Sequence, residues 1–327
     1  MTQGRGRTDE VPSGGVRLVV GVLTFRREAM LAALLPLLES EVDALLAGVP
    51  EVVSARVVVV DNAPDRSAST VVELHGGDRT TYCWESVRGI SAGRNRALDE
   101  AAGEDLLVFI DDDERPTGGW LAALVRTHFD EGASVVAGPV IPEFLDTPEP
   151  FVVDGGFFER GHTRSLRTGT DIARAATNNL LLDLRVVRRV GARFDHDFSF
   201  SGGEDSLFTG TLTRAGVRAV WCAEAVVVDL VPAERLTEHY VLRRTRALSQ
   251  SSVLAEIRLR ESRRQRVPFR AHVLVKEGAR LATGGAQMWR GRISRSPQEV
   301  ARGRRALARA VGALQGGIGR RPRTYGS

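Results

Sequence analysis

The segment LLVFIDDDERP, residues 106–116, runs from five apolar residues directly into three aspartates, Asp111, Asp112 and Asp113. A short apolar run bounded by charged residues is typical of a strand buried in a sheet. Adjacent carboxylates repel one another and lose hydration beside a buried strand, so the cluster is unfavourable unless another group offsets its charge. The segment therefore predicts a core strand that ends in a binding site.

Two other apolar runs end in the same way. RLVVGVLTF reaches polar residues at Thr24, and ARVVVVDNAP reaches them at Asp61. Because such runs alternate with amphipathic segments over the first two-thirds of the chain, we predict an α/β domain with a mostly parallel central sheet flanked by helices. Ligands of such sheets bind at the carboxyl ends of neighbouring strands, so these polar residues predict one shared cleft.

Later segments predict the remaining elements. SAGRNRALDEAA predicts a helix with Ser91 as its N-cap, and ASVVAGPV predicts a single strand. NLLLDLRVVRRV, residues 179–190, predicts one helix. The Pro- and Gly-rich stretch from Pro142 to about Ala175 predicts an irregular insert of the kind that often serves as a functional flap. From about Pro232 onward the chain is predicted to be helical.

The composition is that of an ordinary globular protein, with 43% hydrophobic and 26% charged residues among 327. No apolar run approaches the roughly 18–20 residues of a membrane-spanning helix. Residues 1–15 lack the apolar core of a secretory signal, so we predict a disordered lead-in there. Two cysteines, Cys83 and Cys222, are too few for a disulfide framework or a cysteine-based metal site. These features favour a cytoplasmic chain.

Basic charge is concentrated at the carboxyl-terminal end. Between Glu256 and Ser327 there are 18 Lys and Arg residues against four Asp and Glu residues. PQEVARGRRALARAVGALQGG has an apolar stripe flanked by arginines, so residues 297–315 are a candidate for binding an anionic membrane surface. The alternative is that these helices pack against the α/β domain or a second subunit. No zinc spacing or helix-turn-helix pattern is visible, and we expect no nucleic acid partner.

Asp111 and Asp113 are candidates for a metal site. They are two residues apart, so an extended backbone would place both side chains on one face. Carboxylate oxygens suit Mg²⁺ or Mn²⁺, and a bound dication would offset the mutual repulsion. The alternative is a solvated acidic turn that caps the following helix.

A second acidic motif lies in FDHDFSFSGGEDSLF, where Glu204 and Asp205 follow Gly202 and Gly203. The glycines permit close backbone approach and unusual φ/ψ values, and the acids fall in the first turn of a predicted helix. A carboxylate there could be a general base that takes a proton from an attacking hydroxyl. The alternative is an acidic helix cap, which we favour for Glu204, whereas Asp205 is the better candidate for the base.

Six motifs in order resemble those of family 2 glycosyltransferases with the GT-A fold. They are VVGVLTFRR, VVVVDNAPD, RGISAGRNRAL, LVFIDDDERP, TNNLLLDLRVV and GGEDSLF, and the resemblance runs from about Val16 to Arg244. Each motif alone is a weak signal, but six in the same order are specific. The resemblance implies a Rossmann-like GT-A domain over residues 16–231, with a nucleotide-sugar half at about 16–141, an acceptor half at about 142–231, and a basic helical extension at 232–327.

The resemblance also implies an activity. A sugar would pass from a nucleotide-sugar, most commonly a UDP-sugar, to a hydroxyl acceptor in a single in-line displacement that inverts the anomeric carbon. The acceptor would be a cell-surface glycan, a lipid-linked intermediate or a secondary metabolite. Asp111 and Asp113 would hold Mg²⁺ or Mn²⁺ on the donor diphosphate, and Asp205 would be the base. The residues implied at the nucleotide-sugar are Thr24, Phe25, Arg26, Asp61, Arg94, Asp111, Asp112 and Asn179. Those implied on the acceptor side are Gly202, Gly203 and Glu204.

The chain departs from the family pattern at one candidate metal ligand, and two other function classes remain open at this point. Many relatives have a metal-binding histidine after the AEAVVV segment, where this chain has Asp229, which is either a further metal ligand or a surface residue. A metal-dependent phosphohydrolase could also use an Asp-x-Asp strand end, although its pattern expects a lysine that this chain has only in the tail, at Lys276. The third class is a non-catalytic protein that binds a membrane or nucleic acid through its basic tail. A lipid-linked acceptor would place the enzyme at the inner face of the cell membrane.

Overall fold

The computed structural model describes residues 14–159 and 165–322. The predicted lead-in, residues 1–15, therefore lies almost entirely outside the described residues. Within these residues the chain forms ten strands and ten α-helices, with short 3-10 turns at His196–Phe198 and Ala233–Arg235.

The strands and helices alternate in the amino-terminal part, and helices dominate after the last strand. The strands are β1 (Val16–Thr24), β2 (Val52–Asp61), β3 (Thr80–Trp84), β4 (Leu106–Asp111), β5 (Glu114–Pro116), β6 (Val135–Ala137), β7 (Val140–Phe144), β8 (Asn179–Asp183), β9 (Ala219–Trp221) and β10 (Val227–Val231). The helices are α1 (Glu28–Gly48), α2 (Ser69–His75), α3 (Ile90–Glu100), α4 (Trp120–Glu131), α5 (Pro150–Asp154), α6 (Leu184–Val190), α7 (Glu204–Arg214), α8 (Glu238–Arg258), α9 (Arg263–Ile293) and α10 (Pro297–Gly317).

Seven strands form one large sheet in the order β3-β2-β1-β4-β8-β6-β9. The pairs β3–β2, β2–β1, β1–β4 and β6–β9 are parallel, whereas β8 is antiparallel to both of its neighbours. A smaller sheet has the order β5-β10-β7. The predicted α/β fold with a mostly parallel central sheet flanked by helices is confirmed, and it is consistent with the GT-A fold.

The central strands are buried on both faces because helices cover each side of the sheet. Val20 of β1 belongs to an apolar cluster that includes residues of α1 and α4. Its neighbour Val19 belongs to a second cluster, which includes residues of α3, α6 and α7. The apolar run before the aspartates is likewise buried, from Leu106 to Ile110. This double burial explains why these strands appear in the sequence as continuous apolar runs rather than alternating ones.

The helix predicted over residues 179–190 is wrong in its first half. Asn179–Asp183 is β8, whose five residues are all buried between β4 and β6. The helix begins only at Leu184, where the Asp183 side chain caps it by accepting a hydrogen bond from the Arg185 backbone at 2.9 Å. A short leucine-rich run does not distinguish a buried strand from a buried helix, so the sheet contacts decide.

Two other boundaries also differ from the sequence prediction. Ser91 is not the N-cap, because α3 already begins at Ile90 and Gly89 precedes it as the N-cap. Gly89 has a φ of 120°, a value that glycine adopts more readily than other residues. ASVVAGPV is not one strand, because the chain leaves the large sheet after β6 and enters the small sheet with β7. The predicted irregular insert contains the end of β7 and all of α5, and residues 160–164 within it lie outside the described residues.

The described residues group into two compact units. The first holds those of Met1–Ile141, His162–Phe194 and Phe208–Asp229, and the second those of Pro142–Gly161, Asp195–Leu207 and Leu230–Ser327. The domain boundary at residue 231 and the division into nucleotide-sugar and acceptor halves stay predictions.

Within the second unit, α10 packs along both α8 and α9, and also contacts α5. Its buried residues are mostly glycine and alanine, which allow the backbones to come close. A side chain at Gly312 would overlap the Arg246 carbonyl of α8, and one at Gly303 would overlap the Met288 backbone of α9. Residues 297–315 therefore pack against other helices of the second unit. Packing against the α/β domain or a second subunit, and binding to a membrane surface, both stay predictions. Among the described helices, none combines the length and the apolar character needed to cross a membrane.

Candidate active site

The predicted rim is formed by the carboxyl ends of three adjacent strands. β2, β1 and β4 are parallel neighbours, and their register places Thr24 beside Asp61 and Leu23 beside Asp111. Polar residues that lie far apart in the sequence are thus brought to one edge of the sheet, as expected for a ligand cleft of an α/β fold.

Asp112 is the most enclosed of the three aspartates. Its carboxylate accepts a hydrogen bond from the Thr24 hydroxyl at 2.8 Å and another from the Arg27 guanidinium at 2.7 Å. Burial raises the pKa of Asp112, and the nearby Arg27 charge opposes that rise. Asp112 therefore fixes the end of β4 against the turn that follows β1.

Arg27 was missed by the sequence analysis, although it directly follows the predicted site residue Arg26. Its Nη1 lies 2.7 Å from an Asp112 oxygen and 3.0 Å from an Asp113 oxygen. The two aspartates hold the pKa of Arg27 above its usual value although burial of the guanidinium opposes them. The chain itself thus offsets part of the charge of the aspartate cluster.

Asp111 and Asp113 do not share a face of an extended strand, and that expectation is wrong. β4 ends at Asp111, and Asp112 and Asp113 form a turn before β5. The Asp111 side chain keeps 38% of its surface exposed, against 11% for Asp113. The atoms packed around the Asp111 carboxyl nevertheless desolvate it and raise its pKa to about 7, while Arg94, 3.9 Å away, counteracts this.

Glu114 is a buried acid that directly follows the three aspartates and bonds to the backbone of Asp111. One of its oxygens accepts a hydrogen bond from the Asn178 side chain at 2.5 Å, and the other accepts one from the Asp111 backbone at 3.2 Å. Its strand pairs with β10, where Asp229 lies directly opposite. Burial raises the pKa of Glu114 well above its usual value, and the neighbouring carboxylates raise it further.

The donor set at the rim fits a hard divalent cation. Asp111 and Asp113 supply carboxylate oxygens, and Mg²⁺ in proteins is commonly held by one or two carboxylates together with water and substrate phosphates. Across residues 14–159 and 165–322, no group of three or more His, Cys, Asp or Glu side chains is arranged to hold a metal ion. A metal site here would therefore rely on the substrate for further ligands. Whether Asp229, which is buried beside Glu114, is one of the ligands stays a prediction.

The turn after β1 presents an aromatic ring with cations around it. Phe25 is 38% exposed, and the guanidinium groups of Arg26 and Arg88 lie 5.7 and 5.5 Å from its ring centre. Arg26 has a positive φ of 53° and forms an ion pair with Asp65 at 3.1 Å. An exposed ring beside two arginines can stack on a base and attract phosphates. The predicted nucleotide contacts of Phe25 and Arg26 are compatible with these positions.

Asp61 organises a loop rather than facing solvent. It is fully buried, and its two oxygens accept hydrogen bonds from the backbones of Ala63 at 2.8 Å and Ala68 at 3.0 Å. The Tyr82 hydroxyl donates a third at 3.2 Å. Two of these bonds serve the loop after β2 and the third ties Asp61 to β3, and the predicted contact of Asp61 with the nucleotide stays a prediction.

Arg94 is buried in the first unit, with its guanidinium 5.7 Å from the centre of the Phe194 ring. The next residue, Asn95, exchanges two hydrogen bonds of 2.9 Å with the Phe194 backbone. Arg94 was a predicted site residue, whereas Asn95 of the same RGISAGRNRAL motif was not predicted. Asn95 therefore ties the middle of α3 to the backbone at Phe194, and the neighbouring Arg94 has its Nη2 3.9 Å from an Asp111 oxygen.

Asn179 is an internal structural residue. Its side-chain oxygen accepts a hydrogen bond from the Trp120 indole at 2.8 Å, and its amide donates to the carbonyls of Pro139 and Ala225 at 3.1 and 2.7 Å. Only 1% of its surface is exposed. The asparagine directed at the acidic rim is the preceding one, Asn178, which sequence reasoning did not select. The predicted role of Asn179 at the sugar stays untested.

The Gly202–Asp205 motif belongs to the second compact unit. Gly202 and Gly203 have φ values of 74° and 92°, and a side chain on Gly203 would crowd Ser251 of α8. Glu204 is buried, whereas Asp205 is partly exposed in the first turn of α7. The glycines therefore serve both the turn and the close approach of α8, as the sequence analysis expected of them.

Comparison with known proteins extends the structural result. A sequence model of Glycosyl transferase family 2 matches residues 21–181, a range that contains the rim from β1 to β8. The succinoglycan biosynthesis protein ExoM of Rhizobium meliloti (strain 1021) is 31% identical over 239 residues, which cover 72% of this chain and 73% of that protein. The chain belongs to glycosyl transferase family 2. The resemblance drawn from the six motifs is confirmed, and family membership decides for a transferase over a phosphohydrolase or a non-catalytic binding protein.

Membership in family 2 gives the rim a substrate class, because the family implies a nucleotide-sugar donor and an acceptor. The matched range includes Thr24, the aspartate cluster and Asn178, but it ends before the Gly202–Asp205 motif. The match to ExoM is longer, at 239 residues.

Proposed function

We propose that this family 2 glycosyltransferase moves a sugar from a UDP-sugar to a hydroxyl group of a lipid-linked acceptor during assembly of a polysaccharide. The acidic rim at the ends of β1, β2 and β4 is the observation that carries the proposal. The similarity to a succinoglycan biosynthesis protein supports polysaccharide assembly as the setting. The proposed location is the cytoplasmic side of the cell membrane.

In this proposal the donor lies along the rim. Phe25 and Arg26 contact the nucleotide, and Arg94 faces the diphosphate. Asp111 and Asp113 hold Mg²⁺ or Mn²⁺, which would neutralise the diphosphate and stabilise the charge that develops on it during transfer. The partial exposure of Asp111 supports its role, because a carboxylate that must reach a ligand cannot be fully covered.

The reaction is a single displacement with inversion at the anomeric carbon. The acceptor oxygen forms a bond to this carbon while the bond to the donor's diphosphate oxygen breaks, and the nucleoside diphosphate leaves with the bonding electron pair. Asp205 takes the proton of the acceptor hydroxyl, and its partly exposed position in the first turn of α7 supports this role. Glu204, which is buried beside it, and the two glycines shape the acceptor side.

Calorimetry with nucleoside diphosphates tests the donor site. UDP, GDP, CDP, ADP and dTDP are titrated into the protein with Mn²⁺, with Mg²⁺ and with chelator. We expect UDP to bind only with a metal, and we expect Asp113→Ala to weaken that binding at least about 10-fold because a metal ligand is lost. Asp43→Ala is the matched control, since Asp43 is an exposed acid on α1 that pairs with Arg79. If no nucleotide binds with either metal, the proposed donor site is wrong.

Asp205→Asn separates binding from chemistry. This variant should bind UDP as the wild type does but lose turnover by about 10²–10⁴-fold, the usual contribution of a general base. Turnover is followed as release of nucleoside diphosphate from UDP-sugars in the presence of a membrane extract, and product stereochemistry is read by NMR. Retention of the anomeric configuration would contradict the single displacement, and full activity of Asp205→Asn would remove Asp205 as the base.

A further inference from the structure

The outward face of α9 is apolar although the helix is rich in arginine. Five large apolar side chains along it are between 50% and 76% exposed: Val267, Leu274, Val275, Trp289 and Ile293. At 100° per residue these five fall within an arc of about 100°. The buried residues Val273, Glu277, Gly284 and Gly291 lie outside that arc and form the inner face of the helix. The exposed apolar residues therefore share one face of the helix as an apolar stripe, and Val267 and Ile293 lie about 39 Å apart along its axis.

The charges that α9 itself carries around this stripe have one sign. Arg263, Arg270 and Arg292 lie along one edge of it, and Arg290 lies beyond the other edge, while Arg264 lies at its amino-terminal end. Arg290 is held by Glu299 at 2.7 Å. The one acidic residue on α9 is Glu277, which is buried on the inner face and forms an ion pair with Arg280. The outward surface of α9 thus combines exposed apolar groups with cations and carries no acidic residue of its own.

Helix α10 does not present such a surface. Most of its length is covered by α8 and α9, and its apolar residues Leu307, Val311 and Leu314 are all partly buried. The contrast with α9 is clear at Val275, of which 76% is exposed. Of these two helices, α9 therefore offers the exposed amphipathic face, and residues 297–315 of α10 do not.

We infer that the outward face of α9 binds an anionic lipid bilayer, with α9 lying in the plane of the interface. An amphipathic helix with a tryptophan among its apolar residues and cations along its borders has the chemistry that such surfaces select. The cations would contact lipid headgroups, and the apolar stripe would enter the boundary between headgroups and acyl chains. The inference stands apart from the proposed function, because vesicle binding is measured without donor, acceptor or metal.

Vesicle co-sedimentation with the full chain tests the inference. The vesicles contain either zwitterionic phosphatidylcholine alone or phosphatidylcholine mixed with phosphatidylglycerol. We expect binding to the mixed vesicles that falls at high salt. The double variant Val275→Glu with Ile293→Glu should weaken that binding on the order of 30-fold, because two inserted apolar groups become charged. Arg270→Gln and Arg292→Gln should each weaken it about 5-fold.

The matched control is Leu74→Glu on α2, which changes an apolar residue that is 73% exposed in the first unit. It should bind mixed vesicles as the wild type does. Because Val275 and Ile293 are also exposed, all these variants should retain the circular dichroism spectrum and thermal midpoint of the wild type. The native Trp289 provides a second readout, since its fluorescence should be quenched by brominated acyl chains in mixed vesicles and this quenching should disappear in Trp289→Phe.

Three results would overturn the inference. The first is no binding to mixed vesicles, or equal binding to both kinds of vesicle. The second is binding that the double variant leaves unchanged. The third is a dimer in analytical ultracentrifugation that the double variant dissociates, which would assign the face of α9 to a second copy of the chain.

Discussion

Arg27 contacts two of the three rim aspartates, Asp112 and Asp113. A metal ion that binds Asp113 would have to displace the second of these contacts. The contact of Arg27 with Asp113 involves a side chain that is 39% exposed, and such ion pairs contribute about 0.2–1 kcal/mol. Its hydrogen bond to the buried Asp112 carboxylate is worth more, about 1.5–3 kcal/mol. We therefore expect Arg27→Gln to lower the free energy of unfolding by about 1–3 kcal/mol in the absence of metal.

The same substitution should strengthen metal binding. A dication that binds Asp113 must displace the Arg27 contact, so removing this contact raises the affinity by up to about 5-fold for 1 kcal/mol. Loss of a positive charge beside the incoming ion acts in the same direction. The nucleotide-free protein is titrated with Mn²⁺, and free Mn²⁺ is measured by electron paramagnetic resonance. Added Mn²⁺ should also raise the thermal midpoint of the variant more than that of the wild type.

Arg27→Lys is the control for charge without the guanidinium geometry. It keeps the positive charge near the aspartates, so its Mn²⁺ affinity should lie between those of the wild type and Arg27→Gln. If Arg27→Gln binds Mn²⁺ no more tightly than the wild type, then Arg27 does not compete for this site and the reasoning is refuted.

Two further predictions concern the scaffold. Asn179→Ala should lower the free energy of unfolding in urea by about 2–4 kcal/mol, because the Trp120 indole and two carbonyls lose buried partners. Asn178→Ala, at a half-buried position, should lower this free energy less. Equal decreases in the two variants would contradict the structural role of Asn179. Burial lowers the pKa of His128, so this side chain stays neutral in the folded state and the unfolded chain takes up the proton first as pH falls through about 6.5. Stability is therefore lost as pH falls below about 6.5. His128→Asn can keep the hydrogen bond to the Ala133 carbonyl, and it should flatten the dependence of the unfolding free energy on pH between about 6.5 and 5. An unchanged slope in this variant would contradict the prediction.

The sheet and its rim could be predicted because their signals are local. Each central strand is an apolar run long enough to be buried on both faces, and the polar residues at its end follow without a break. Parallel pairing then brings Thr24, Asp61 and Asp111 to one edge whatever the exact loop lengths. The prediction of a cleft needed only the strand order, which an alternating pattern of strands and helices strongly restricts.

The assignment of individual side chains at the rim could not be predicted, because it depends on neighbours that are distant in sequence. Asn178 and Asn179 are adjacent and chemically identical, and the three leucines that follow give no alternation to show which amide is internal. The Trp120 indole and two carbonyls draw Asn179 inward, which leaves Asn178 to bond Glu114. In the same way Arg26 and Arg27 are adjacent and chemically identical. Arg26, which has a positive φ, pairs with Asp65, whereas Arg27 contacts Asp112 and Asp113.

The charges of the aspartate cluster repel one another, and the chain itself offsets part of that repulsion through Arg27. Asp112 is satisfied internally by Thr24 and Arg27, so its charge needs no ligand. Asp113 shares the same guanidinium, whereas Asp111 remains partly exposed. Of the three carboxylates, Asp111 is therefore the most accessible to an incoming group, whereas Arg27 contacts Asp113.

The carboxyl-terminal helices show that an amphipathic sequence pattern does not reveal whether the apolar face of a helix is buried or exposed. α9 and α10 are both basic and amphipathic, and the sequence pattern alone favoured α10. What separates them is the size of the residues on the apolar face. Glycines such as Gly303 and Gly312 let neighbouring backbones approach within contact distance, which draws α10 into the bundle. The large side chains of α9, such as Trp289, are too bulky for such close packing and remain on the outside. Residue size therefore decides which of two similar helices is left for a partner.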